Sequence, residues 1–90
     1  MDGMYSMYKY LSSKDISCVL NQDILQIVGS IKGNTFTIYY QQELVHSSRT
    51  AVHSKVVLKI SGVLYYPKDY EELSTLLLMV KEKVREKHLV

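Results

Sequence analysis

Two stretches of alternating apolar and polar residues, joined by a glycine-containing turn, form the clearest pattern in the chain. In residues 25–31, and again in residues 35–40, apolar side chains recur at every second position, which is the period of a β-strand with one buried face. The connection "KGN", residues 32–34, contains Gly33, and glycine readily adopts the left-handed backbone conformation that tight turns require. The pattern therefore predicts an antiparallel hairpin.

A third strand is predicted over residues 54–66, "SKVVLKISGVLYY", and Gly62 within it indicates a bulge or a bend. Read as one strand, this stretch presents one set of side chains to each face. The first face carries Val56, Leu58, Ile60 and Leu64. The second face carries Lys55, Val57, Lys59, Ser61, Val63 and Tyr65. Residues 4–11, "MYSMYKYL", are interpreted as a fourth strand at an edge of the sheet.

The end of the chain has the pattern of a long amphipathic helix that starts near Pro67. Proline suits the first helical position, because its missing N–H has no partner there. Acidic residues near the start and basic residues near the end complement the helix dipole. Apolar residues at helical spacing form a stripe along this segment. Its members are Tyr70, Leu73, Leu76, Leu77, Val80 and Val84.

Residues 12–24 allow two interpretations. "SSKD" resembles a capping box, and Ile16, Val19 and Leu20 then fit helical spacing, which favours a short helix near residues 13–22. A further strand is the alternative. The predicted fold is one α+β domain over residues 1–90. It has an antiparallel meander of three to four strands, with the long C-terminal helix packed on one face of the sheet.

Composition bounds the class of protein. The chain has 90 residues, 47% of them hydrophobic, and a net charge of +2, which fits a small globular domain and is too mild to predict nucleic-acid binding. Cys18 is the only cysteine, so an intrachain disulfide is excluded and a reducing, cytoplasmic location is favoured. No apolar run is long enough to cross a bilayer, and no membrane partner is expected.

The segment 44–54, "LVHSSRTAVHS", is the richest in chemically capable side chains. Catalysis by a serine needs an adjacent base that a third group orients, and no acid lies within the segment. A polar connection between strands and an anion-binding loop built on Arg49, His46 and His53 remain as alternatives. The histidine spacing does not match a zinc site. We therefore expect no enzyme, no metal or other cofactor, and no small-molecule substrate.

A single helix cannot cover both faces of a sheet, and this mismatch leads to the functional hypothesis. The uncovered face, or an edge strand, is expected to bind another protein or a second copy of the chain. The anchors would be Tyr39, Val57, Val63 and Tyr65, with charge at the rim from Lys55, Lys59 and Arg49. The alternative is RNA or DNA binding, in which tyrosines stack on bases and lysines contact phosphates. A third possibility is that the chain folds over this face itself.

Overall fold

The computed structural model describes residues 3–44 and 52–82 and contains two helices and five strands. In chain order they are α1 (Met4–Ser13), β1 (Ser17–Asn21), β2 (Gln26–Ile31), β3 (Asn34–Leu44), β4 (Val52–Ile60), β5 (Val63–Tyr65) and α2 (Tyr70–Leu78). The strands form one sheet in the order β1-β2-β3-β4-β5, and each neighbouring pair is antiparallel. The α+β class and the antiparallel meander are confirmed, but the sheet has five strands where three to four were predicted.

Two tight turns connect β2 to β3 and β4 to β5. Lys32 and Gly33 have φ values of 51° and 80°, and Ser61 and Gly62 have φ values of 54° and 77°. Two consecutive residues with positive φ fit the type I′ turn, whose twist matches that of the flanking strands. The predicted hairpin around Gly33 is confirmed. The predicted single strand over residues 54–66 is wrong, because the chain reverses at Gly62 and forms two strands.

Both helices pack on the same face of the sheet, which we call the helix face. The apolar side of α1 and that of α2 meet the inward residues of the central strands in one buried cluster. The cluster consists of Met4, Met7, Leu11, Ile16, Ile27, Phe36, Ile38, Leu58, Ile60, Leu73 and Leu77. Burial of these side chains is the main stabilisation of the fold, at about 1.5–3 kcal/mol for each large apolar group.

The N-terminal third differs from its expected secondary structure. The edge strand expected at residues 4–11 is a helix, because Met4, Met7 and Leu11 lie on one side of α1 and are buried against the sheet. The short helix expected near residues 13–22 is instead the end of α1 followed by β1. Asp15, just after the helix, has a φ of 60°, which turns the chain back toward the sheet.

The helix α2 is short. Asp69 is its N-cap, and its carboxylate accepts a hydrogen bond from the backbone N–H of Glu72 at 2.7 Å. The helix spans nine residues and ends at Leu78, so the long helix expected from Pro67 onward is not seen. Residues 83–90, which that prediction also covered, lie outside the described residues.

Contacts from the sheet occupy carbonyl groups at and beyond the end of α2. The ammonium group of Lys32 donates to the carbonyl of Leu78, and the side-chain amide of Asn34 donates to the carbonyl of Lys81 at 2.9 Å. The same Asn34 accepts a hydrogen bond from the Ser61 hydroxyl at 2.8 Å. Asn34 therefore joins both tight turns and the segment after α2 through one buried side chain.

Candidate functional site

The face of the sheet opposite the helices, which we call the outer face, carries a cross-strand row in which three of the five residues are aliphatic. Direct cross-strand pairing links Val19 to Val28, Val28 to Thr37, Thr37 to Lys59, and Lys59 to Leu64. Val19 is 70% exposed, Val28 39% and Leu64 44%. In residues 3–44 and 52–82, neither helix packs on this face. Three exposed aliphatic side chains in one row are therefore available for contact with another molecule.

A second row on the outer face is built around Val57. Val57 pairs with Tyr39 across β3 and β4, and the register of β4 and β5 places Tyr66 on its other side. Val57 is fully buried yet lies outside the core cluster of the helix face, whereas Tyr39 is half-buried and Tyr66 is 48% exposed. The Lys55 ammonium lies 5.3 Å from the centroid of the Tyr66 ring, a cation–π distance. Val57 thus supports the tyrosines and has no surface to offer a partner.

Two of the predicted anchors lie on the helix face and not on the outer face. Tyr65 pairs with Leu58 and packs against the core, so it belongs to the helix face, and Val63 shares that face through its pairing with Ile60. The expectation that both residues lie on the uncovered face is wrong. The cause is the turn at Gly62, since a two-residue hairpin reverses the alternation that a continuous strand would maintain.

The same turn brings two residues to the outer face that the sequence reasoning missed. Leu64 and Tyr66 take the places that had been assigned to Val63 and Tyr65. The signal was present as the dipeptide Ser61–Gly62, since serine followed by glycine is typical of turns. Four predicted members of the face, Tyr39, Val57, Lys55 and Lys59, are on it, and both lysines are exposed.

The predicted histidine and arginine loop lies largely outside the described residues. β3 extends to Leu44 and β4 begins at Val52, so the loop connects these two long paired strands. Arg49 and His46 fall within residues 45–51, and the side chain of His53 is likewise not described. The anion-binding and plain-connection interpretations of this loop both stay predictions.

The titratable groups of the described chain show no arrangement typical of nucleophilic or metal chemistry. Burial of Cys18 raises the pKa of its thiol, an effect that a hydrogen bond with Ser12 partly opposes. A raised pKa keeps this thiol protonated and weakly nucleophilic at neutral pH. Among residues 3–44 and 52–82, no group of three histidine, cysteine, aspartate or glutamate side chains is placed to hold a metal ion. The acidic residues at the start of α2 serve its N-cap, since Glu72 also accepts a hydrogen bond from the backbone of Lys68 at 3.2 Å.

A cluster of tyrosines lies between the helices and the sheet. The rings of Tyr10 and Tyr70 stack with centroids 5.0 Å apart, and the Tyr10 hydroxyl shares a hydrogen bond of 3.2 Å with Ser74. The Tyr70 hydroxyl is buried without a hydrogen-bond partner among the described residues. Burial and the neighbouring Tyr70 raise the pKa of Tyr40. These contacts hold α1 and α2 together, and the hydroxyl of Tyr10 adds a hydrogen bond with Ser74 to the ring stacking.

Comparisons with protein-family models, with curated proteins and with solved structures give no match. No helix in residues 3–44 and 52–82 has the length and apolar character needed to cross a membrane.

Proposed function

We propose that this chain is a non-catalytic accessory subunit that binds another protein through the outer face of its sheet. The observation that carries the proposal is the cross-strand row in which Val19, Val28 and Leu64 are exposed while both helices pack on the other face. Exposed aliphatic side chains grouped on one face in this way are typical of contact sites on soluble proteins. The half-buried Tyr39 and the exposed Tyr66 add aromatic side chains, which are enriched among the residues that dominate binding energy.

The charges on the outer face favour a different protein over a second copy. The charged side chains described on this face are those of Lys55 and Lys59. Two copies packed face to face would bring two Lys59 ammonium groups into one interface and would have to desolvate both of them. A partner with an apolar surface bordered by carboxylates would meet Val28, Leu64 and Lys59 favourably. The single cysteine fits a protein that works in a reducing compartment such as the cytoplasm.

The test compares partner capture by three tagged chains expressed in the cell of origin. The outer-face variant carries Val28→Lys and Leu64→Asp, and the control carries Met79→Asp, which changes another exposed apolar side chain, 75% exposed, at the end of α2. The expected result is one or more proteins that co-purify with the parent and the control in equal amounts and are lost from the outer-face variant. Circular dichroism of all three chains checks that folding is unchanged.

Two results would refute this function. One is a set of captured proteins that is the same for the parent and the outer-face variant. The other is a parent chain whose mass by light scattering is twice its 10.4 kDa and falls to 10.4 kDa in the variant, since that would identify a second copy as the occupant of the face.

Nucleic acid is the second candidate, and it is favoured by one feature, the pairing of Lys55 with the exposed Tyr66 ring beside Lys59. Base stacking on tyrosine with lysines on the phosphates is a common mode of single-strand binding. Binding of this kind weakens steeply as salt rises, because counterions are released from the nucleic acid. Fluorescence anisotropy with labelled single-stranded RNA and DNA at low and high salt tests it, and no binding at low salt excludes it.

A further inference from the structure

A groove of about 540 Å³ lies beside the edge strand β1. It is lined by Tyr5 and Tyr8 of α1, by Val19 and Leu20 of β1, and by the start of the following turn, residues 21–23. Val19 projects from the outer face and Leu20 from the helix face, because successive residues of a strand alternate. Because residues from both faces line this groove, it lies along the edge of the sheet and does not belong to either face.

The edge along this groove is unprotected. In the described residues β1 pairs with β2 alone, and no other backbone hydrogen bond reaches it. Natural edge strands are usually shortened, bulged, or interrupted by charged residues or proline, because their free N–H and C=O groups otherwise accept another strand. The sequence of β1, "SCVLN", has no charged residue and no proline, and Val19 is 70% exposed. The opposite edge, β5, is only three residues long.

The wall of the groove is aromatic. Tyr5 and Tyr8 are three positions apart on α1 and therefore share one flank of the helix. Tyr5 is 57% exposed, and the Lys9 ammonium lies 5.5 Å from its ring centroid, while Tyr8 is half-buried against the core. Tyrosine walls offer large apolar contact area together with a hydroxyl for hydrogen bonding, at little loss of side-chain entropy.

We propose that this groove binds an extended peptide segment of a partner protein, which adds a sixth strand to the sheet beside β1 and seats its alternate side chains against Tyr5 and Tyr8. Main-chain hydrogen bonds supply affinity in this mode of recognition, and the contacts with alternate side chains supply specificity. The site is separate from the outer-face interface, with which it shares Val19 only.

Charge decides between a partner segment and a second copy of β1. Asp15 and Asp23 each lie two residues beyond an end of β1. Asp23 lines the groove, whereas Asp15 has a φ of 60°, which turns it out of line with β1, and Lys14 lies beside it. A second copy of β1, "SCVLN", brings no basic residue within the paired strand to meet Asp23. A foreign strand that carries lysine or arginine at the end beside Asp23 supplies one. The occupant is therefore a short, mainly apolar strand of a partner protein with a basic residue at one end.

The test uses a displayed library of random decapeptides, selected on the full chain. We expect enrichment of peptides with alternating apolar residues and a lysine or arginine near an end. Tyr5→Ala, which removes an exposed side chain and so preserves the fold, should weaken the selected peptide roughly tenfold. Asp23→Lys should reduce its affinity and shift a repeated selection toward acidic ends. The matched control is Tyr66→Ala, an exposed tyrosine on the outer face, which should leave peptide affinity unchanged.

Methylation of peptide nitrogens distinguishes strand addition from simple apolar contact. Methyl groups on every second peptide nitrogen should abolish binding in one register and preserve it in the other, because only one set of N–H groups faces β1. The proposal is overturned if no peptide is enriched, if both methylated registers bind equally, or if only Tyr66→Ala weakens binding. A negative result here does not change the result expected for the outer-face variant with Val28→Lys and Leu64→Asp, so the two proposed interfaces can be refuted independently.

Discussion

Gly29 is the position at which the smallest change should have the largest effect on stability. It pairs directly with Phe36 on the helix face, and the Phe36 ring lies over it. A Cβ built at Gly29 would lie 2.3 Å from the carbonyl oxygen of Ser17, 2.6 Å from Cζ of Phe36 and 2.8 Å from Cβ of Cys18. Carbon atoms in contact normally keep about 3.5–4.0 Å apart, so Gly29→Ala requires movement of all three neighbours.

The size of the effect follows from which neighbours can yield. The Phe36 ring is a side chain, but it is fully buried in the core, and the Ser17 carbonyl is the backbone of the adjacent strand. Overpacking a core lowers the free energy of unfolding by about 1–3 kcal/mol when side chains can adjust. We expect a clash with the backbone of a paired strand to cost at least the upper value of this range. A domain of this length has about 5–13 kcal/mol of stability in total, so Gly29→Ala should remove a large part of it.

Urea denaturation followed by circular dichroism measures the loss. The control is Ser30→Ala, which changes the next residue of β2 on the exposed outer side and should stay within about 0.5 kcal/mol of the parent. Phe36→Leu combined with Gly29→Ala relieves the contact with the ring but not that with Ser17, so it should rescue little. A cost below about 0.5 kcal/mol for Gly29→Ala, or full rescue by Phe36→Leu, would show that the reasoning about the backbone clash is wrong.

Three further predictions concern backbone strain, the buried amide and alkaline pH. Leu25 is 51% exposed and has a φ of 50°, so Leu25→Asn should raise the free energy of unfolding by about 1 kcal/mol, seen as a higher urea midpoint with an unchanged slope. Asn34→Ala should lower it by about 2–4 kcal/mol, because it removes hydrogen bonds to both tight turns and to Lys81, whereas Ser61→Ala should cost about 1 kcal/mol. Burial raises the pKa of Cys18 from 9.0 and that of Tyr40 from 10.0, so the folded state retains protons that the unfolded state releases, and stability should fall as pH rises above 9. Thiol alkylation should accordingly be slow in the folded chain and faster in urea, and an equal rate in both would contradict a raised pKa.

The sequence was most informative where local chemistry alone determines structure. The turn at Gly33 was predictable because alternating runs flank it on both sides. The equivalent turn at Gly62 was missed because apolar residues occupy every position from Val63 to Tyr66, so the reversed alternation left no trace in the pattern. The assignment of faces to β5 failed for this reason alone.

The predictions for the two helices were wrong for two different reasons. In α1 the spacing of Met4, Met7 and Leu11 already follows a helical face, but the tyrosines between them raised the β-propensity and favoured a strand. At and beyond the end of α2, Lys32 and Asn34 donate hydrogen bonds to the carbonyls of Leu78 and Lys81, 46 and 47 residues away in the chain. A local sequence pattern contains no information on contacts between residues so far apart.

Val19 is where the two proposed interfaces meet. It is the first member of the exposed row on the outer face, and it also lines the groove along the free edge of β1. Because a strand residue at a free edge has one side toward the face and the other toward the open edge, one side chain can contribute to both surfaces. Val19→Lys should therefore weaken both partner capture and peptide binding, whereas Leu64→Asp should weaken only the first and Tyr5→Ala only the second. If Val19→Lys alters one of them and leaves the other at its parent level, the two surfaces do not share this residue, and Val19 is not part of the interface that is unaffected.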